Sequence, residues 1–480
     1  MTLKQLSVTS ECAPFVKTGG LADVVGALAL ALKGQDVTSR VLLPLYRQIA
    51  HLADGARDVM DAGDRFGGPV RVLATTAKGI DLLLIDAPHL YDRPGQIYLN
   101  EAGEDWSDNH LRFGLLSWLG AEIGRVGVAG WVPDVVHAHD WQAGLTPVYL
   151  RQSGAAVPSI LTIHNIAFQG VFPATVMGVL GLDPQGFTQE GFEYFGQISF
   201  LKGGLMQADQ ITTVSPTYAR EVMTPEFGMG LDGVLRARKS VLSGMLNGID
   251  TVAWDPATDP ALAQTYTSRT LAKKAQNKDA VLARFGLDQD VTAPLFSVIS
   301  RLSEQKGLDL VLQALPSRLE AGAQFVLLGS GDPALERAFL DLAGRYPGQV
   351  GVEIGFDEAL AHLIQGGADA TLVPSRFEPC GLTQLCALRY GTLPIVSVTG
   401  GLADTVIDAN EAALAMGCAT GFQFAPTTAD KLGDALDRAM AVYGDPSAWR
   451  KLQRNAMKHP VGWDVSVGRV AQIYHMLAEP

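Results

Sequence analysis

The chain has little cysteine: four in 480 residues, at Cys12, Cys380, Cys386 and Cys418. No close cysteine pair recurs, which excludes a disulfide framework and a zinc-type spacing and leaves reduced thiols as the expectation. Long apolar runs are also lacking. Val24–Leu32 is short, contains Gly26 and lies between Asp23 and Lys33, so no membrane crossing is expected. Met1–Lys17 alternates apolar and polar residues without the apolar block and small-residue cleavage site of a secretory signal. The expected compartment is therefore the cytoplasm. Positive charge is in deficit, 37 basic against 50 acidic residues for a net charge of -13, which disfavours nucleic acid as a partner. Three nucleotide and hydrolase signatures are missing too. No G-x-G-x-x-G with a downstream acid follows the first strand, and neither a Walker lysine motif nor a G-x-S-x-G elbow occurs.

What is present is an ordinary globular balance, 47% hydrophobic and 18% charged, in a chain too long for one core. In the N-terminal half, short β-branched runs end in polar or glycine-rich turns and alternate with helical periods. These are Leu6–Ser10, Arg40–Leu43, Asp81–Asp86, Val135–Ala138, Ile160–His164 and Ile211–Ser215. The pattern restarts after Leu242 with Phe296–Ser300, Phe325–Leu328, Val350–Ile354, Ala370–Val373 and Pro394–Val398. Near-continuous apolar strands of this kind belong in parallel sheets covered on both faces. The expectation is α/β, two Rossmann-like, doubly wound domains. Ser243–Pro256 concentrates Gly, Asn, Asp and Pro, which places the boundary near residue 244. The spacing of Val465–Leu477 predicts a last helix without deciding which half it packs on.

Four motifs carry candidate chemistry. TGGLAD occurs at Thr18–Asp23 and again at Thr399–Asp404, each between a strand region and a helix. Gly-Gly there can expose amides as an anion site at a helix start, or can be a tight turn inherited by duplication. Lys17 favours phosphate for the first copy; Val398 in the matching place leaves the second as structural or as a contact to a neutral ligand. SRLSEQKG sets Arg301 and Lys306 after a strand, where a fork and a point charge suit a diphosphate and a solvated loop is the bland alternative. PSRFEPCGLTQL puts Glu378 beside a helix opening at Gly381–Leu382–Thr383, for sugar hydroxyls and phosphate or for simple capping. HAHDW, with His137, His139, Asp140 and Trp141, raises a metal site that lacks further ligands among nine histidines. The alternative is that Asp140, Trp141, His164 and Asn165 offer a sugar-binding wall, with His137 and His139 as buried structural residues.

KTGGLADVVGAL, HAHDWQAGLTP, TIHNIAFQG, NGID, SRLSEQKG and PSRFEPCGLTQL occur in this order, and through them the chain resembles bacterial glycogen synthases and plant starch synthases over nearly its whole length. The resemblance implies a GT-B fold, two Rossmann-like domains facing across a deep cleft. The domains would be 1–243 on the glucan acceptor side and 244–456 on the nucleotide-sugar donor side, with 457–480 returning as a helix to the N-terminal domain. It implies a retaining transferase moving glucose from ADP-glucose to the non-reducing end of an α-1,4-glucan, without metal or other cofactor. By the same resemblance Arg301 and Lys306 stabilise the departing diphosphate, and Glu378 engages the donor glucose. Lys17, Gly19, Gly20 and the backbone of Cys380, Gly381, Leu382 and Thr383 cradle phosphate, with Glu11 beside them. Asp140, His164, Asn165 and Asn247 resemble glucose-pocket residues. Phe356 stands where relatives usually stack Tyr on adenine, and Cys386 where related retaining transferases carry a second Glu. A sucrose- or trehalose-forming transferase and a catalytically silent polysaccharide-binding protein are the alternatives, and the oligomeric state is left open.

Overall fold

The computed structural model describes residues 2–290 and 292–479. The chain divides into two compact units, Met1–Asn247 with Trp463–Pro480, and Gly248–Gly462. The sequence expectation put these divisions at 244 and 457. The helix Pro446–Lys458 belongs wholly to the second unit, and the bridge from Ile249 to Gly462 ties both ends of that unit together.

The first unit is built on a nine-stranded sheet and a three-stranded one. Its strands in chain order are β1 (Leu3–Val8), β2 (Val37–Pro44), β3 (Arg57–Arg65), β4 (Gly68–Ala77), β5 (Ile80–Asp86), β6 (Val135–His139), β7 (Ser159–Ile163), β8 (Val171–Pro173), β9 (Glu193–Tyr194), β10 (Gln197–Ser199), β11 (Gln210–Thr213) and β12 (Leu242–Gly244). The large sheet runs β12-β11-β7-β6-β1-β2-β5-β4-β3. Seven of these strands pair in parallel, but β4 pairs antiparallel with both β5 and β3, which adds an antiparallel edge to the parallel sheet expected from the apolar runs. The cause is local. Phe66-Gly67 and Lys78-Gly79 are two-residue loops with positive φ at both positions, the geometry whose twist matches a hairpin.

The topological switch of this sheet lies between β1 and β6, so the segments leaving those two strands open side by side. On one face the helices Gly20–Ala31 and Trp463–Ala478 pack together against Leu3, Val37, Val135 and Ile160. Val467, Val470, Ala471 and Tyr474 supply the apolar stripe of the last helix, which belongs to the first unit.

The second unit has one six-stranded sheet: β13 (Leu295–Ile299), β14 (Gln324–Gly329), β15 (Val350–Ile354), β16 (Ala370–Val373), β17 (Leu393–Ser397) and β18 (Phe422–Phe424). All pairs are parallel and the order is β15-β14-β13-β16-β17-β18, the doubly wound arrangement with its switch between β13 and β16. The period of two along a strand divides the core. Phe296, Val298, Phe325 and Leu327 enter one apolar cluster, whereas Leu295, Val326 and Leu328 enter another on the opposite face. Neither face is left for water, which is why these strands read as unbroken apolar runs.

Candidate functional site

In the second unit, Ile299 of β13 ends in a turn, Glu304–Lys306, and Val373 of β16 ends in the loop that carries Glu378. The adjacency of β13 and β16 brings these two loops together. Gly307 makes the approach possible: its φ is +65°, and a Cβ there would sit 2.1 Å from the Pro374 carbonyl oxygen. Arg376 then stitches the loops. Its backbone N–H donates to the Gln305 carbonyl at 2.8 Å, its guanidinium to the Glu304 carbonyl at 2.7 Å, and the fork grips both Asp309 oxygens. The Asp309 carboxyl is held below the usual carboxylate range by those bonds.

The result is a close pair: Lys306 Nζ donates to Glu378 Oε2 at 2.6 Å, and Ser375 Oγ donates to the same oxygen at 2.9 Å. Glu378 is buried and Lys306 half-buried. Both line a cavity of about 50 Å³ with Ser300, Ser375, Gly381, Leu382, Thr383 and Gln384. Gly381 is left-handed at φ +71°, and the helix Thr383–Tyr390 starts two residues later. Gln384 shapes that start, donating from Nε2 to the carbonyls of Cys380 and Gly381 at 3.0 and 2.9 Å. Arg301 is exposed, with no ion-pair partner among the described residues. Phe356, just beyond β15, is 83% exposed, so one flat face is open to a ligand.

The second TGGLAD copy serves this loop. The Gly401 amide donates to the Glu378 and Pro379 carbonyls at 3.1 Å each. Cβ atoms at Gly400 and Gly401 would lie 2.0 and 2.1 Å from the Glu378 and Cys380 carbonyl oxygens. The two glycines are what allow the Glu378 loop to lie on the helix Gly400–Thr405, a structural role for this copy.

In the first unit the segment after β1 carries Glu11, Lys17, Gly19 and Gly20. The buried Glu11 carboxylate accepts from the Thr18 amide at 2.6 Å, the Gly19 amide at 3.1 Å, and the Thr18 and Tyr98 hydroxyls at 2.5 Å each. The amide pocket at the first Gly-Gly thus holds the chain's own carboxylate, and Lys17 pairs with Asp23 at 2.8 Å. This qualifies the expectation of outward-pointing amides. Gly19 itself is exposed, and a Cβ on it would meet nothing within 4 Å.

Asp140 and His164 leave the neighbouring ends of β6 and β7. Asp140 sits at φ 54°, ψ -169°, a conformation costly for a residue with a side chain and found where surroundings over-determine it. Its Oδ1 accepts the His164 and Asn165 amides at 2.7 and 3.3 Å. Burial pushes its carboxyl up to about 7 despite those two bonds, with Glu11 adding to the rise. Trp141 packs edge-on against Phe113, 5.0 Å between centroids, and one face of its ring closes on Gly170. His137 bonds the hydroxyls of Tyr474 and Thr162, and His139 those of Ser7 and the ring of His164. Both rings are buried, and all four of their nitrogens face protein groups. Asn247, half-buried just beyond β12, is the last residue of this unit. A larger hollow of about 410 Å³ beside Arg65, Trp118 and Gly178–Gly181 contains none of the candidate residues.

Arg376, Ser375, Gln384 and Tyr98 were not singled out by sequence. Arg376, Ser375 and Gln384 lie inside a motif whose chemistry pointed elsewhere, and Tyr98 reaches Glu11 across 87 positions with no local signal.

Comparison with known proteins gives a consistent result. Residues 4–237 match the family described as Starch synthase catalytic domain, and residues 282–458 match Glycosyl transferases group 1. A glycogen synthase of Roseobacter denitrificans is 57% identical over 476 residues, 99% of each chain. One from Rhodopseudomonas palustris is 54% identical over 98% of this chain and 97% of the relative. The structure of the catalytic domain of starch synthase IV from Arabidopsis thaliana, bound to ADP and acarbose, superposes with a TM-score of 0.87 at 32% identity. It covers 100% of this chain and 99% of that one. The two parallel-sheet units are those of the GT-B glycosyltransferase fold. With more than half of its residues identical to a relative of the same length, the chain belongs to the glycogen synthase family.

Proposed function

We propose that this protein is a retaining glucosyltransferase that moves glucose from ADP-glucose to the non-reducing end of an α-1,4-glucan. The observation that carries the reading is the Lys306–Glu378 pair at the switch point of the second unit, beside the Gly381–Thr383 helix start. A nucleoside diphosphate is already a good leaving group, so the chain must stabilise negative charge as the glycosidic bond loosens. Arg301 and Lys306 supply that charge without a metal, and the amides of Gly381–Thr383 add donors at a helix N-terminus. Glu378 accepts from hydroxyls of the donor glucose, Asp140, His164, Asn165 and Asn247 offer hydrogen bonds to a sugar, and the flat face of Phe356 stacks on adenine. Lys17, Gly19 and Gly20 meet phosphate once Glu11 yields the Gly19 amide.

The acceptor 4-hydroxyl attacks the face that ADP leaves, and a phosphate oxygen of the departing ADP takes its proton. Cys386 cannot stand in for a second carboxylate, which favours this front-face route over a covalent glycosyl intermediate. The compartment proposed for the reaction is the cytoplasm; among the described residues no helix is long and apolar enough to cross a membrane. The test is incorporation of labelled glucose into glycogen from ADP-glucose and UDP-glucose side by side, with and without EDTA. Incorporation from ADP-glucose that survives chelation is expected. Glycan binding without donor consumption would overturn the reading in favour of a silent polysaccharide-binding protein.

A further inference from the structure

The reaction scheme uses His164 but not the two side chains behind it, and those form a chain with a direction. Ser7 Oγ lies 2.9 Å from His139 Nε2, and His139 Nδ1 lies 3.1 Å from His164 Nε2. All three residues are buried, His139 completely. The rings are neutral: burial holds His164 down to about 3 and His139 well below the ordinary histidine value. The ring of His137, 4.1 Å from that of His139, adds a further penalty for charge. Each neutral imidazole has one donor and one acceptor nitrogen, so only two arrangements of protons satisfy the chain.

In one arrangement the Ser7 hydroxyl donates to His139 Nε2, His139 Nδ1–H donates to His164 Nε2, and His164 carries its proton on Nδ1. In the other every bond is reversed and His164 Nδ1 is bare. Ser7 Oγ has no other partner among the described residues. Reversal would therefore bury an O–H aimed at nothing, which costs more than an idle lone pair on the same oxygen. His137 does not compete, since both of its ring nitrogens face hydroxyls, of Tyr474 at 2.7 Å and Thr162 at 2.5 Å. His164 Nδ1 has no protein partner among the described residues and is not sealed in.

We infer that Ser7 and His139 are positioning residues that fix His164 as its Nδ1–H tautomer, so that it presents a hydrogen-bond donor to an oxygen of the bound sugar. The donor role rests on the glucosyltransferase reading above; the tautomer does not.

The experiment is ¹⁵N–¹H correlation of the ¹⁵N-histidine-labelled full chain, with His164 assigned by its disappearance in His164→Gln. A protonated Nδ1 on His164 is expected, and a dominant Nε2–H form overturns the inference outright. Ser7→Ala removes the terminal donor, so His164 should become a tautomer mixture. Turnover on ADP-glucose should fall about ten-fold, the worth of one misdirected hydrogen bond, and Ser7→Thr should restore both. If the alanine variant fails to fold, Ser7→Cys, a weaker donor of similar size, carries the same comparison. An unchanged tautomer and full turnover in a folded variant refute the positioning role. A changed tautomer with full turnover refutes the donor role alone. A wild-type chain without transferase activity refutes the functional reading while leaving the tautomer to its own spectrum.

Discussion

Removal of the Lys306 ammonium is the most informative perturbation, because one side chain is asked to do two things that can be separated. Lys306 neutralises a buried carboxylate at 2.6 Å, and among the described residues Ser375 is the only other side chain that bonds the same Glu378 oxygen. Lys306→Ala leaves Glu378 with one neutral donor. A charged hydrogen bond of this kind contributes about 1.5–3 kcal/mol, and stranding its buried partner removes at least that much stability. Glu378→Gln in the same background abolishes the stranded charge, so the double variant should regain most of the stability lost by Lys306→Ala. Turnover should behave differently. Loss of one preorganised cation facing the leaving diphosphate costs about 10²–10³ in kcat, and no change at Glu378 can return it. The assay is a double-mutant cycle read twice, by thermal unfolding and by ADP release at saturating ADP-glucose. Strictly additive stability losses would refute the pairing as an energetic unit. A kcat within about three-fold of wild type in Lys306→Ala would refute the leaving-group role.

Three further outcomes follow from the same geometry. Arg301 is exposed and without an ion-pair partner among the described residues, so Arg301→Ala should cut turnover by about 10²-fold while thermal unfolding stays where it was; coupled losses of both would contradict this. Gly401→Ala should unseat the Glu378 loop and abolish turnover, because its Cβ would meet the Cys380 carbonyl oxygen at 2.1 Å. Gly19→Ala, with nothing within 4 Å, should fold as well as wild type; equal behaviour of the two variants would show that the second Gly-Gly is no spacer. Asp140, raised to about 7 by burial, binds its proton more tightly in the fold than in the unfolded chain. It therefore destabilises increasingly as pH rises from about 4 to 7, and fully above that. Asp140→Asn keeps the oxygen that accepts two amides and should raise the unfolding temperature at pH 8, by an amount that vanishes toward pH 4; a pH-independent difference would count against the buried charge.

Local sequence was sufficient wherever a residue's neighbours along the chain decide its conformation. The bounds of β15 and β16 were legible to the residue, those of β16 because a central strand buried on both faces has no reason to admit charged side chains. The motifs placed Arg301, Lys306 and Glu378 at strand ends, since ligand chemistry in such sheets concentrates there. The β3–β4 hairpin was missed because β3 is a largely exposed edge strand with no apolar run to mark it, and β4 beside it mixes buried Val70, Val72 and Leu73 with polar residues. What required the tertiary structure was every decision about partners. That Lys306 meets Glu378 across 72 positions depends on β13 and β16 being neighbours at the switch. That Glu11 fills the first Gly-Gly turn while the second holds the Glu378 loop could not be read from two identical TGGLAD strings. A hexapeptide encodes a turn and its free amides; what those amides bond to is decided by groups that only the fold brings near.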